Sequence, residues 1–168
     1  ELLKARLADH TYLTDEDQSY YLYQLTMDGR SQTGIVACCS IDDYVSGVIK
    51  KHENTREEKE QDRIRHVDVM NAQTGPIFLA YRQNEVLGQI MEQVMLERPL
   101  YDFVSEDGIG HRVWKVRTAE QNQKIEAVFA QVPATYIADG HHRAASAVKV
   151  GLKRRQENPD YTGTEPFN

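Results

Sequence analysis

Residues 134–150 read ATYIADGHHRAASAVKV, and their character changes twice. Thr135, Tyr136 and Ile137 are β-branched or aromatic and follow Pro133, which predicts a short strand. Asp139-Gly140 then interrupts the run with a turn signal. Ala144, Ala145, Ala147, Val148 and Leu152 resume it as helix. Between strand and helix sit Asp139, Gly140, His141, His142 and Arg143.

That turn has the chemistry of an anion site. A helix start offers unpaired main-chain N–H groups and the positive end of a dipole. Gly140 has no Cβ to hold a ligand away from the backbone. Arg143 brings a planar fork suited to phosphate oxygens, and His141 and His142 donate hydrogen bonds or move protons near neutral pH. Asp139 has three readings: a helix cap, an orienter of an imidazole, or a ligand for the Mg²⁺ that accompanies a phosphate. The plainer alternative is a capped helix with a polar surface, but two histidines and an arginine on one turn favour a ligand. A metal site on the two histidines is the weaker option, since adjacent histidines point apart and no third ligand is close in sequence.

Working outward, residues 47–72 read GVIKKHENTREEKEQDRIRHVDVMNA. Thr55 and Glu58 have capping-box spacing, so a helix is predicted to start there. Ile64, Val67 and Met70 give it an apolar edge. His52 and Glu53 stand just before it, and a carboxylate beside an imidazole at a helix entrance is a candidate general base. The competing reading is acid placed to suit the helix dipole. Arg63 and Arg65 are either phosphate ligands or solvated ion-pair partners.

The remaining elements follow from periodicity and turn signals. A helix is predicted over residues 1–8 with Leu2, Leu3 and Leu7 on one side. A tyrosine-rich strand over 19–27 and a strand over 33–41 flank the Asp28-Gly29 hairpin signal. Tyr20, Tyr21 and Tyr23 read as half-buried strand residues, with a base-stacking platform as the alternative. Cys38 and Cys39 read as core filling within the second strand, where neighbours point to opposite faces and rarely pair, with a reactive thiol as the alternative. GPIFLAY, at 75–81, reads as a buried strand. A helix over 85–97 turns Val86, Leu87, Ile90, Met91, Val94 and Met95 inward. Strands at 100–104 and 111–116 are joined by the Glu106-Asp107-Gly108 turn; Trp114, in the second, reads as a packed core residue with stacking on a ligand as the alternative, and Thr118 caps a helix to about 131. Interleaved hairpins and crossovers predict an α+β fold, a mixed sheet with flanking helices.

The chain of 168 residues reads as a single domain, and its start at Glu1 and stop at Asn168 read as those of a fragment of a longer chain. A net charge of -6 argues against a nucleic-acid partner held by phosphate neutralisation. No run is apolar enough to span a membrane and no signal peptide is visible; two adjacent cysteines, which rarely pair, give a reducing, cytoplasmic setting as the expectation. There is no Walker loop, nucleophile elbow or spaced cysteine pair.

IADGHHRAASA resembles the strand–turn–helix motif of the ParB/sulfiredoxin-like fold, with Gly140 and Arg143 in its Gly-x-x-Arg positions. The chain as a whole resembles the family catalogued as domain-of-unknown-function family 1015. It does so through KKHENT, Asp62-Arg63, GPIFLAY, HRVWKV and ADGHHR, in that order, from about Tyr21 to Val150. That family is similar to free-serine kinases of the ParB-like fold. The resemblance implies a kinase that phosphorylates the hydroxyl of free L-serine or a similar amino acid from ATP or ADP with Mg²⁺. By that resemblance the turn with Gly140, His141, His142 and Arg143 cradles the transferred phosphate, and an upstream glutamate, for which Glu53 is the candidate, deprotonates the serine hydroxyl. On the chemistry of the residues themselves, His142 joins Glu53 as a catalytic candidate, His52, Thr55 and Arg63 join the phosphate- or nucleotide-binding set, and Asp139 is the candidate Mg²⁺ ligand. The partners expected are a small-molecule substrate and a nucleotide. Ala144 and Ala145 stand where the resemblance leads one to expect an aromatic and an acid. The alternative is a non-catalytic ParB-like nucleotide-binding regulatory module.

Overall fold

A computed structural model describes residues 2–53 and 57–168. Within them the fold is mixed α+β, with two sheets and six helices. The chain divides into two compact units, Glu1–Cys38 with Gln83–Gln131, and Cys39–Arg82 with Val132–Asn168. Each carries its own sheet. Among the described residues no helix is long and apolar enough to cross a membrane.

The first unit begins with helix α1 (Leu2–Ala8), which buries nothing. Strands β1 (Tyr21–Met27) and β2 (Arg30–Val36) form a hairpin. Its Asp28-Gly29 turn has positive φ at both residues, 51° and 76°, the combination that matches the twist of the flanking strands. Helix α4 (Glu85–Met95), strands β5 (Tyr101–Val104) and β6 (Gly110–Lys115), and helix α5 (Ala119–Phe129) complete it. The sheet order is β2-β1-β6-β5, antiparallel throughout. Leu22 lies opposite Trp114 across β1 and β6, and both are buried. The indole N–H of Trp114 donates to the Glu97 carbonyl at 3.1 Å, satisfying the one polar atom of a core tryptophan. Asn84 and Thr118 cap α4 and α5 with their side-chain oxygens. Leu87, Ile90 and Val94 are buried as the period predicts, but Val86 is exposed. On the other face of the sheet Tyr23 is half-buried, its hydroxyl 2.7 Å from His111 Nδ1.

One expectation fails here. β2 ends at Val36, and Cys38 and Cys39 are exposed beyond it, not strand residues in a core. An apolar run alone does not keep a strand going once Ser40 caps a new helix, α2 (Ile41–Ser46).

The second unit holds α2, β3 (Ile49–Lys50), α3 (Glu57–Met70), β4 (Phe78–Ala80), β7 (Thr135–Asp139) and α6 (His141–Glu157). Its sheet order is β3-β7-β4, with β7 parallel to β3 and antiparallel to β4. The GPIFLAY segment therefore supplies a three-residue edge strand with Phe78 half exposed, instead of a buried one. Ile49, Ile137 and Ala144 form the core with Tyr44, Ile77 and Leu79. Both Ala144 and Ala145 are buried, which gives the small residues there a packing reason. α6 lies along α3, tied by Lys149 to Glu60, by Lys153 to Asp68 at 2.8 Å and by Arg154 to Asp68 at 3.2 Å. β7 leads straight into α6, so the turn of interest is where the central strand becomes the longest helix.

Candidate phosphate-binding cleft

The start of α6 is built without a side-chain cap. Gly140 is the N-cap residue at φ 93° and ψ 30°, and no side chain accepts from the first amides. Its carbonyl accepts the first intrahelical bond, from Ala144 N at 2.9 Å. A left-handed N-cap suits glycine and leaves the opening amides without a polar side chain over them. Asp139 is therefore not the cap. It ends β7 and its carboxylate pairs with the Arg143 guanidinium across the turn.

This start opens into a cleft of about 900 Å³. One wall is the 138–143 turn. Another is α3, through Glu58, Asp62, Arg63, His66 and Val67. The 73–75 segment and Glu53 complete the lining. Asp139, Gly140, His141, His142, Arg143, Arg63 and Glu53 are thus brought together. Arg65 is exposed and does not line the cleft. Thr55, and with it the proposed capping box, lies outside the described residues.

The two histidines differ. His141 is 6% exposed, its Nδ1 lies 3.9 Å from Glu53 Oε2, and its Nε2 is buried with no hydrogen-bond partner among the described residues. His52 meets it edge-to-face, ring centroids 4.4 Å apart, and its own Nε2 is 3.9 Å from Glu53 Oε1. Glu53 therefore stands between two imidazoles. His142 is half-buried and its carbonyl accepts from Ser146 at 2.6 Å.

Gly140 serves a different close approach from the one expected. A Cβ on it would lie 3.0 Å from Arg143 Nε and 3.0 Å from its second terminal nitrogen, so the guanidinium itself occupies that space. Gln73 Nε2 donates to the Arg143 carbonyl at 3.4 Å, and His66 Nε2 lies 3.4 Å from Thr74 Oγ1. Sequence reasoning missed Glu58, His66, Gln73, Thr74 and Gly75. The only signal was Gly75-Pro76, a turn dipeptide read as the head of a strand. Asp62 and Arg63 face Glu53 and the α6 start across the same cleft, and Arg63 has no ion-pair partner among the described residues. The arrangement presents main-chain N–H groups, two guanidinium groups and imidazoles to a ligand, beside an exposed carboxylate. It suits an oxyanion carried by a molecule with a proton to lose. Among the described residues no group of three or more His, Cys, Asp or Glu side chains is arranged to hold a metal ion.

No curated protein and no solved structure matches the chain. The profile of the family described as protein of unknown function (DUF1015) matches residues 1–168, and the chain belongs to that family.

Proposed function

We propose that the cleft binds the phosphates of ATP or ADP and transfers one phosphoryl group to the hydroxyl of free L-serine or a similar amino acid. The observation that carries this reading is the uncapped start of α6, opening on a cleft that also holds Arg143 and Arg63. The ParB/sulfiredoxin-like reading of the turn belongs to the same proposal and rests on Gly140 and Arg143.

In this reading the amides of 141–143 and the two guanidinium groups hold the donor phosphates, and His142 donates to them as charge develops. Glu53, 62% exposed at the cleft edge, takes the proton from the acceptor hydroxyl. The freed oxygen bonds to the terminal phosphorus as the bridging P–O bond breaks, leaving ADP from ATP or AMP from ADP. Mg²⁺ bound to the donor phosphates neutralises charge there. Asp139, which here pairs with Arg143, would be the protein ligand of a Mg²⁺ ion otherwise held by the donor phosphates.

The test incubates the protein with Mg²⁺, L-serine and either donor, and measures phosphoserine. Phosphoserine formed in step with donor consumption supports the proposal. Nucleotide binding without turnover on any amino acid or small alcohol, unaffected by Glu53→Gln, overturns catalysis and favours the regulatory module. Absence of nucleotide binding overturns both.

A further inference from the structure

Gly75 belongs to no element, and its φ lies outside the left-handed region. A left-handed backbone therefore does not explain a glycine there. Space does. A Cβ built on Gly75 would lie 3.2 Å from Arg143 Cδ and 3.3 Å from one of its terminal nitrogens. A Cβ on Gly140 would crowd the Nε and the other terminal nitrogen of the same side chain at 3.0 Å. The Arg143 stem and fork thus lie in a slot between two glycines 65 positions apart in the chain. Asp139 holds the fork at one end and Gln73 holds the main chain of the same residue. Outside that slot the side chain has many rotamers, and ordering a free arginine on a ligand costs conformational entropy. The slot removes that freedom before any ligand arrives.

We propose that Gly75 is a positioning residue of the phosphate site: its missing side chain holds Arg143 in the pose that meets the anion. The proposal rests on the phosphate reading of the cleft, and it deepens that reading by assigning the 73–75 segment to the site. Gly75→Ala asks Arg143 to give by a few tenths of an ångström, while Gly75→Val asks for more. Neither meets a left-handed backbone, unlike any change at Gly140.

Two measurements on the whole chain test it. The first is calorimetric titration with Mg·ATP of the wild type, Gly75→Ala, Gly75→Val, Arg143→Ala and the Gly75→Val/Arg143→Ala double variant. The expected losses are a few-fold for alanine and roughly tenfold for valine, because sub-ångström misplacement of a binding group is costly. Valine should add no further loss once Arg143 is gone. The second is the rate at which phenylglyoxal modifies Arg143, read by peptide mass spectrometry without nucleotide. Valine should raise it by freeing the guanidinium. An equal loss of affinity from valine in both backgrounds, or no loss in either, overturns the proposal. So does an unchanged modification rate. If the wild type does not bind Mg·ATP while valine still raises that rate, Gly75 positions Arg143 but the phosphate reading fails.

Discussion

Gly140 carries two demands at once: a left-handed backbone and room for the guanidinium of Arg143. Gly140→Ala should therefore destabilise the protein by about 1–2 kcal/mol from conformation alone, with a further loss from the Arg143 contact, read as a lower midpoint in urea. Glu53 stands in a different relation to the fold. It is exposed, so Glu53→Gln should leave stability unchanged while lowering phosphoserine formation by about 10²–10⁴-fold, the usual contribution of a general base. An equal fall in stability and rate would place Glu53 among structural residues. The chemistry of the turn was legible because its residue types are explicit in DGHHR. The pairing of Asp139 with Arg143 was not. Only the turn of backbone at Gly140 decides whether that carboxylate caps the helix or meets the arginine.

At the scale of elements, periodicity located α4, α5, β1 and α6 close to where they lie, because each has a cap or turn signal as well as a pattern. The apolar runs without such signals were misjudged. GPIFLAY became an edge strand whose register shifts between Phe78 and Leu79, and the cysteine-bearing run stopped at Val36. A hydrophobic run says that residues prefer burial, not which neighbour covers them. Burial also sets the expectation for the first unit. Leu22 is fully buried in β1 opposite Trp114, so Leu22→Ala should cost about 2–5 kcal/mol. The check is chemical unfolding followed by Trp114 fluorescence, and a loss under 1 kcal/mol would contradict the described core.

For the whole molecule, charge placement predicts acid sensitivity. Glu165 is held at about 2, against an ordinary 4.5, chiefly by the Thr162 backbone N–H and further by that of Gly163. Hydrogen bonding from Arg155 lowers Asp42, and from Lys153 and then Arg154 lowers Asp68. Each carboxyl is depressed in the folded state, so its stabilisation is complete above the unfolded value. It is lost as pH falls through the folded one. Melting temperature should hold from neutral pH down to about 5 and then drop toward pH 2, and Glu165→Gln should make the drop shallower. A melting temperature constant down to pH 2 would contradict these pairings. The division into two units was not legible in the sequence, because each unit is assembled from two separated segments and no linker composition marks the crossings.

The claim on which the functional account stands is that the main chain at the start of α6 meets phosphate oxygen. Its most direct test is the ¹⁵N–¹H spectrum of the protein titrated with Mg·ATP. The account predicts that the amides of Gly140, His141, His142 and Arg143 shift first and saturate together. Saturable shifts confined to other segments, or no shifts at millimolar nucleotide, would contradict it.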